Sequence, residues 1–244
     1  MRNLLLTLRY DGSRYHGWQI QPNCDTVQQR MTDAFYKLSG KKENIIGCSR
    51  TDSKVHADMF CCNVRTQCAV SCDKIPDALN FYLPGDISVY DCREVLESFH
   101  ARYDCRGKEY IYLIYNGKYR NPFYENRALF YPYFIDERML NAEAAAFAGK
   151  YDLSAFCSSG SEVKDRVREI YASSVERSGD LVRFKVSGSG FLYNTVRIMA
   201  GTLLEIQQGK IEKGTIPRII ESKNRLAAGA TADGCGLYLS RVFY

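Results

Sequence analysis

One order of hydrophobic patterns runs twice through this chain, and that order restricts the fold more than any other feature. In the first half, residues 3–10, 44–48, 59–67 and 87–95 are apolar or alternating runs of strand length. Between the first two lies "TVQQRMTDAFYKLSG". There Thr26 and Gln29 have capping-box spacing, Val27, Met31, Ala34, Phe35 and Leu38 form one helical stripe, and Gly40 closes it. "DKIPDALNFYLPGD" predicts a shorter helix before residue 87. The order is β-α-β-β-α-β.

The second half has the same order. Residues 108–116 read as a strand rich in Tyr and Ile, and "DERMLNAEAAAFAG" as a helix with Asp136 at its N-cap. Residues 168–177 and 181–187 pair as a hairpin across Ser178-Gly179-Asp180. Residues 191–208 form a strongly apolar helix closed by Gly209; a further helix at 216–222 and a strand at 236–243 come after it. Two such units predict an α+β chain of two ferredoxin-like halves, 1–104 and 105–244. The expected architecture joins them into a mostly antiparallel sheet, with helices on the outer face and a central active-site cleft. The repeat is one of topology, with no matching repeat of residues. No flexible linker divides the halves; the passage through 97–107 is short, polar and basic.

Composition narrows the class. Hydrophobic residues at 45% are enough for a real core, the composition of a folded chain rather than a disordered one. A net charge of +5 is compatible with a nucleic-acid ligand without requiring one. The 18 Tyr and 12 Phe are expected to be mostly core, with some tyrosines left beside arginines for RNA bases. Ten cysteines without a CxxC, in a chain that opens "MRNLLLTLRYDG" without a signal peptide, read as reduced and mostly buried thiols of a cytoplasmic protein. No apolar run is long enough to span a membrane.

Three places hold residues that can carry chemistry. "SRTDSKVHA" sets Arg50, Asp52, Lys54 and His56 together after the apolar run "NIIGC". Taken alone, Asp52 reads as turn chemistry. Arg50 lies two residues away, so an extended segment would point both side chains to one side. Arg197 is the second place, a cation inside an apolar helix. It either snorkels to the surface or meets a carboxylate, and Ala200 and Gly201 beside it would let another backbone come close. The third is "FHARYDCRGKEYIYLIYN", where Arg102, Arg106 and Lys108 interleave with Tyr103, Tyr110 and Tyr112. Arginine with tyrosine suits RNA phosphates and unstacked bases, although at least one of Tyr110 and Tyr112 is expected in the core. The histidines have no zinc-ligand spacing, and there is no phosphate-binding glycine loop and no nucleophile motif. The residues by themselves support an RNA-binding α/β protein with an Asp–Arg–Tyr site.

Five ordered motifs go further. "LRYDGSRYHGWQIQPNCDTVQ", "SRTDSKVHA", "LPGDISV" with "FHARYDCRGKEYIY", "GSGFLYNTVRIMAG" and "GCGLYL" together resemble the bacterial tRNA pseudouridine synthase A family over essentially the full length. The resemblance implies isomerisation of uridine to pseudouridine in the anticodon stem-loop, at positions 38 to 40 in tRNA numbering. It implies a homodimer with a basic cleft for tRNA, no cofactor and no catalytic metal. It makes Asp52 the catalytic carboxylate and Tyr110 the residue against the uracil. It places Arg50 in the RNA stack and pairs Arg197 with Asp52. The chain departs from the family where Ser53-Lys54 replaces the usual Ala-Gly after the aspartate, which removes easy access to positive φ, and where Thr195 replaces the usual Met ahead of the helix arginine. The rival readings are a non-catalytic RNA-binding protein on the same fold, which would lack Asp52 or Tyr110, and a metal-dependent nuclease, which would need a carboxylate or histidine cluster.

Overall fold

A computed structural model describes residues 1–160 and 163–244. Among these it contains ten strands, mostly antiparallel, and five α-helices, a mixed α+β chain. The chain packs as two units, Met1–Arg106 with Leu239–Tyr244, and Gly107–Tyr238.

In the first unit β1 (Arg2–Tyr10), α1 (Val27–Ser39), β2 (Ile45–Gly47), β3 (His56–Thr66), α2 (Ile75–Tyr82) and β4 (Ile87–Val95) succeed one another in the order β-α-β-β-α-β. β1 lies between β3 and β4, antiparallel to both, and β2 pairs with β3. Leu4, Leu5, Leu6 and Leu8 are all buried, so β1 is the centre of this core. α1 starts where Thr26 Oγ1 accepts from the Gln29 N–H at 3.4 Å. The Gln29 side chain turns instead to Asp33 (2.7 Å), so only one half of the capping box forms. β3 begins at His56, three residues earlier than the pattern suggests, because the turn before it already runs into the ladder beside β1.

A buried amide network fixes the segment after β4. Asn63 Nδ2 donates to Asn3 Oδ1 (2.9 Å), and Asn3 Nδ2 donates to the Leu96 and Phe99 carbonyls, both at 2.9 Å. Ala101 N–H donates to Asn63 Oδ1 (2.8 Å). Both asparagines are essentially inaccessible. They tie the strap that carries Arg102 and Arg106 to two central strands.

The second unit holds β5 (Gly107–Tyr115), β6 (Leu129–Phe130), α3 (Glu137–Ala145), β7 (Gly149–Asp152), β8 (Val167–Ser178), β9 (Leu181–Gly188), α4 (Thr195–Gln207) and α5 (Ile216–Ser222). The strand order is β5-β9-β8-β7, with β6 parallel to β5. β6 and β7 are too short to leave a periodic signature in the sequence. Asp136 caps α3, accepting from the Met139 N–H at 3.0 Å. β8 and β9 join through the two-residue loop Gly179-Asp180, and Gly179 takes the positive φ (+58°) that such a loop requires. α4 starts at Thr195 rather than at residue 191. Asn194 sits at φ +63°, and Leu192 N–H donates to Thr195 Oγ1 (3.0 Å), which stops the helix from extending backwards. Only Arg197, Glu205 and Gln207 of α4 escape full burial.

The last strand, β10 (Leu237–Phe243), begins in the second unit and ends in the first, where it neighbours β3. A division at 104/105 would leave all of it in the second half. Its end belongs with the first unit because Arg106 N–H donates to the Phe243 carbonyl (2.8 Å), Tyr244 OH donates to the Ala101 carbonyl (2.8 Å) and the Tyr244 ring meets Phe99. The ten thiols are all free. Four are buried and six half-buried, a more accessible set than the composition suggests. Burial pushes the Cys61 thiol up to about 11, which keeps it protonated and unreactive.

Replacing Asn63 by Ala removes the acceptor for the Ala101 N–H and the donor to Asn3. The expected cost is about 1–3 kcal/mol. Urea unfolding monitored by the fluorescence of the single tryptophan, buried Trp18 of this unit, measures it.

Candidate functional site

Asp52 opens a turn between β2 and β3. Val55 N–H donates to the Asp52 carbonyl at 3.2 Å, and Lys54 occupies the third position with φ +63°. That is the geometry of a type II turn, which normally places Gly or Asn there. The turn is held by the loop after β1. Lys54 N–H and Ser53 Oγ donate to the Tyr15 carbonyl (3.2 and 3.3 Å), Trp18 N–H donates to the Thr51 carbonyl (3.1 Å), and the Tyr10 and Thr51 hydroxyls share a buried hydrogen bond of 2.8 Å.

Two glycines allow this approach. A Cβ on Gly12 would lie 2.0 Å from the Val55 carbonyl oxygen, and one on Gly17 would lie 2.3 Å from that of Thr51. Gly17 also has φ +88°. Tyr15 is anchored at its other end, its hydroxyl donating to Asp86 Oδ1 (2.6 Å). Burial first, and the Asp86 carboxylate second, raise its phenol well above the ordinary range, so it remains a donor. His56 is buried and accepts the Gly12 N–H at Nδ1 (3.1 Å), a structural role. Asp52 itself is half-buried. Arg50, two residues before it, is exposed and makes no hydrogen bond or ion pair with the described residues. The two side chains therefore stand in different environments.

Arg102 and Arg106 are exposed on the strap. Tyr103 between them is 77% exposed and packs on His100, with ring centroids 4.2 Å apart. This unit thus carries Arg50, Asp52, Arg102 and Arg106.

The second unit carries Tyr110 and Arg197. Tyr110 and Tyr112 share one face of β5 and both are buried. Tyr112 is the deeper core residue of the two. Its hydroxyl donates to the Asp233 carbonyl (2.8 Å), and burial raises its phenol far above the ordinary range. Tyr110 meets Phe191 edge-on at 5.1 Å. Arg197 projects from α4 half-buried. Its Nε donates to the Ala232 carbonyl and its Nη1 to Asn194 Oδ1, both at 2.8 Å, while Ala232 N–H donates back to the Arg197 carbonyl at 3.1 Å. Gly201 makes room for that segment, since a Cβ there would lie 1.8 Å from the Ala230 carbonyl oxygen. The guanidinium is thus aimed by the Ala232 backbone and the Asn194 amide, a constraint that a freely snorkelling arginine lacks. Tyr10, Tyr15, Gly17 and Trp18, which hold the Asp52 turn, and Asn194, which holds Arg197, escaped sequence reasoning. The spacing of glycines and aromatics in "YDGSRYHGW" was the visible signal of the first four, and "GSGFLYNTVRIMAG" that of Asn194.

No three His, Cys, Asp or Glu side chains converge as a metal site among the described residues, and no described helix is long and apolar enough to cross a membrane.

An α+β chain of two units, with a pinned carboxylate turn in one and an arginine held by a backbone carbonyl and an asparagine amide in the other, has counterparts among known proteins. The family model described as tRNA pseudouridine synthase matches residues 7–104 and 144–244. The tRNA pseudouridine synthase A of Caldicellulosiruptor bescii is 45% identical over 244 residues, covering all of both chains. That of Acetivibrio thermocellus is also 45% identical with full coverage. A solved structure, "Crystal Structure of a Cbf5-Nop10-Gar1 Complex", aligns with 96% of this chain and 57% of its own at 14% identity and a TM-score of 0.37, which adds nothing to the assignment. The chain belongs to the tRNA pseudouridine synthase family.

Gly17→Ala adds a Cβ against the Thr51 carbonyl at a positive φ. It is expected to shift the Asp52 turn and to lower turnover by about 100-fold, the scale of a misplacement near 1 Å. Single-turnover assays beside a thermal melt check it; a normal rate would show that the turn does not position the carboxylate.

Proposed function

We propose that this protein converts uridine to pseudouridine at positions 38 to 40 of the tRNA anticodon stem-loop, with Asp52 as its catalytic carboxylate and without a cofactor. The reaction class, isomerisation of a tRNA uridine, comes with family membership. The observation that carries the assignment to Asp52 is its turn, fixed by backbone hydrogen bonds to a glycine-lined loop. A half-buried carboxylate on a rigid turn is preorganised for chemistry at one point.

The isomerisation breaks the N1–C1′ bond, turns the uracil and forms a C5–C1′ bond. Attack at C1′, attack at C6 and removal of the C2′ proton all use an ionised carboxylate. In this reading Arg197 pairs with Asp52 and favours its charged form. Tyr110 lies against the uracil and moves a proton. The target nucleotide must leave its stack, and Arg50, exposed and without a hydrogen bond or ion pair among the described residues, fills the gap. Arg102 and Arg106 take RNA phosphate beside exposed Tyr103. The enzyme works as a homodimer in the cytoplasm. The large exposed rings of Phe123 and Phe134 favour a partner surface on the second unit.

Asp52→Asn is expected to abolish tritium release from tRNA carrying 5-tritiated uridine while tRNA binding persists; release at the wild-type rate would sink the assignment. Tyr110→Phe is expected to lower kcat by about 10²–10⁴-fold with affinity kept, as loss of a proton-transfer group would. If affinity falls and kcat does not, Tyr110 only stacks.

A further inference from the structure

Among the described residues, five that are not glycine have positive φ: Asn23, Lys54, Asn126, Asn194 and Lys223. Asparagine tolerates this region, since its short amide bonds to nearby backbone. Lys223 closes α5, and its ammonium pairs with Asp152 at 3.1 Å. Lys54 has neither justification. Its side chain is exposed and makes no hydrogen bond or ion pair with the described residues. The bonds that hold its turn run from the Lys54 and Val55 N–H groups and from Ser53 Oγ, so the turn itself makes no use of the lysine side chain. Glycine would satisfy the same turn without strain.

A lysine kept at an unfavourable φ, whose side chain bonds to none of the described residues, points to a contact of that side chain outside the chain. The ammonium stands two residues after Asp52, and Arg50 stands two residues before it, likewise exposed. Any RNA that presents a nucleotide to Asp52 brings its phosphodiester backbone to this loop. We propose that Lys54 binds a backbone phosphate of the RNA flanking the target nucleotide, and so sets substrate affinity on the side of the turn opposite Arg50 in sequence. The inference rests on the reading of Asp52 as the catalytic carboxylate. A compact ammonium on a flexible stem acts here as a point charge for phosphate and carries no base specificity.

The test compares wild type, Lys54→Gly and Lys54→Arg. Affinity for tRNA is measured by fluorescence anisotropy across a range of KCl, and turnover by tritium release. Lys54→Gly is expected to melt at a higher temperature, because positive φ is relieved. Its Kd and KM for tRNA are expected to rise by roughly threefold to fivefold, and its log–log salt slope to flatten by about one. The effect falls on KM rather than kcat. Lys54→Arg keeps the charge and is expected to keep affinity and slope. A Lys54→Gly enzyme with wild-type affinity and salt slope overturns the contact, as does a loss of affinity that Lys54→Arg shares with an unchanged slope. A wild-type protein whose tRNA affinity depends on Lys54 but which releases no tritium supports the contact and defeats the catalytic reading instead.

Discussion

A close approach of two backbones in the first unit governs its candidate site. The loop after β1 lies against residues 51–55 at a distance that no Cβ on Gly12 or Gly17 would allow. At that distance the Thr51 carbonyl accepts from Trp18 and the Tyr15 carbonyl accepts from Lys54. Trp18 then stacks on Phe60 of β3 with centroids 4.1 Å apart, and Gly47 at the end of β2 leaves space for its indole. The turn bearing Asp52 is thereby fixed to the core through backbone atoms. A carboxylate on such a turn holds its position without relying on its own side chain to anchor the loop.

The second unit solves a harder electrostatic problem by the same means. An arginine in a helix buried almost all round must have its donors satisfied, or its desolvation is not compensated. Asn194 and the Ala232 carbonyl accept two of them. The Ala232 segment reaches the helix because Gly201 and Gly229 carry no side chain where the two backbones meet. Gly236 does the same against the Leu113 carbonyl and the Tyr112 ring on β5. Close packing of main chain on main chain, with glycine at each crossing, thus positions the candidate side chains of both units.

Much of this was legible in advance. The β-α-β-β-α-β order of the first unit, the Thr26 and Asp136 caps and the β8–β9 hairpin come from periodicity and local hydrogen bonding, which act over a few residues, whereas the second unit adds the short strands β6 and β7 to the expected order. The start of β3 at His56 and of α4 at Thr195 was hidden, because each is set by a contact or a φ value that a hydrophobic pattern does not encode. The Asn3–Asn63 network was hidden for another reason. Asparagine in a strand reads as a weak strand former, and its value appears only once residues 60 apart face each other.

Asp52, Tyr110, Arg197 and Arg50 could be nominated from sequence because charged and phenolic groups stand out against apolar runs, and five ordered motifs tied them to one family. Their environments were decided by tertiary structure. It left Arg50 in solvent and Asp52 half-buried, set the Ala232 carbonyl and the Asn194 amide against Arg197, seated Tyr112 deepest in the core with its hydroxyl on the Asp233 carbonyl, and forced Lys54 to a positive φ. The physical reason is range. Residue type and spacing specify local conformation and available chemistry, whereas exposure, hydrogen-bond partners and strain depend on groups that meet only after the chain has folded.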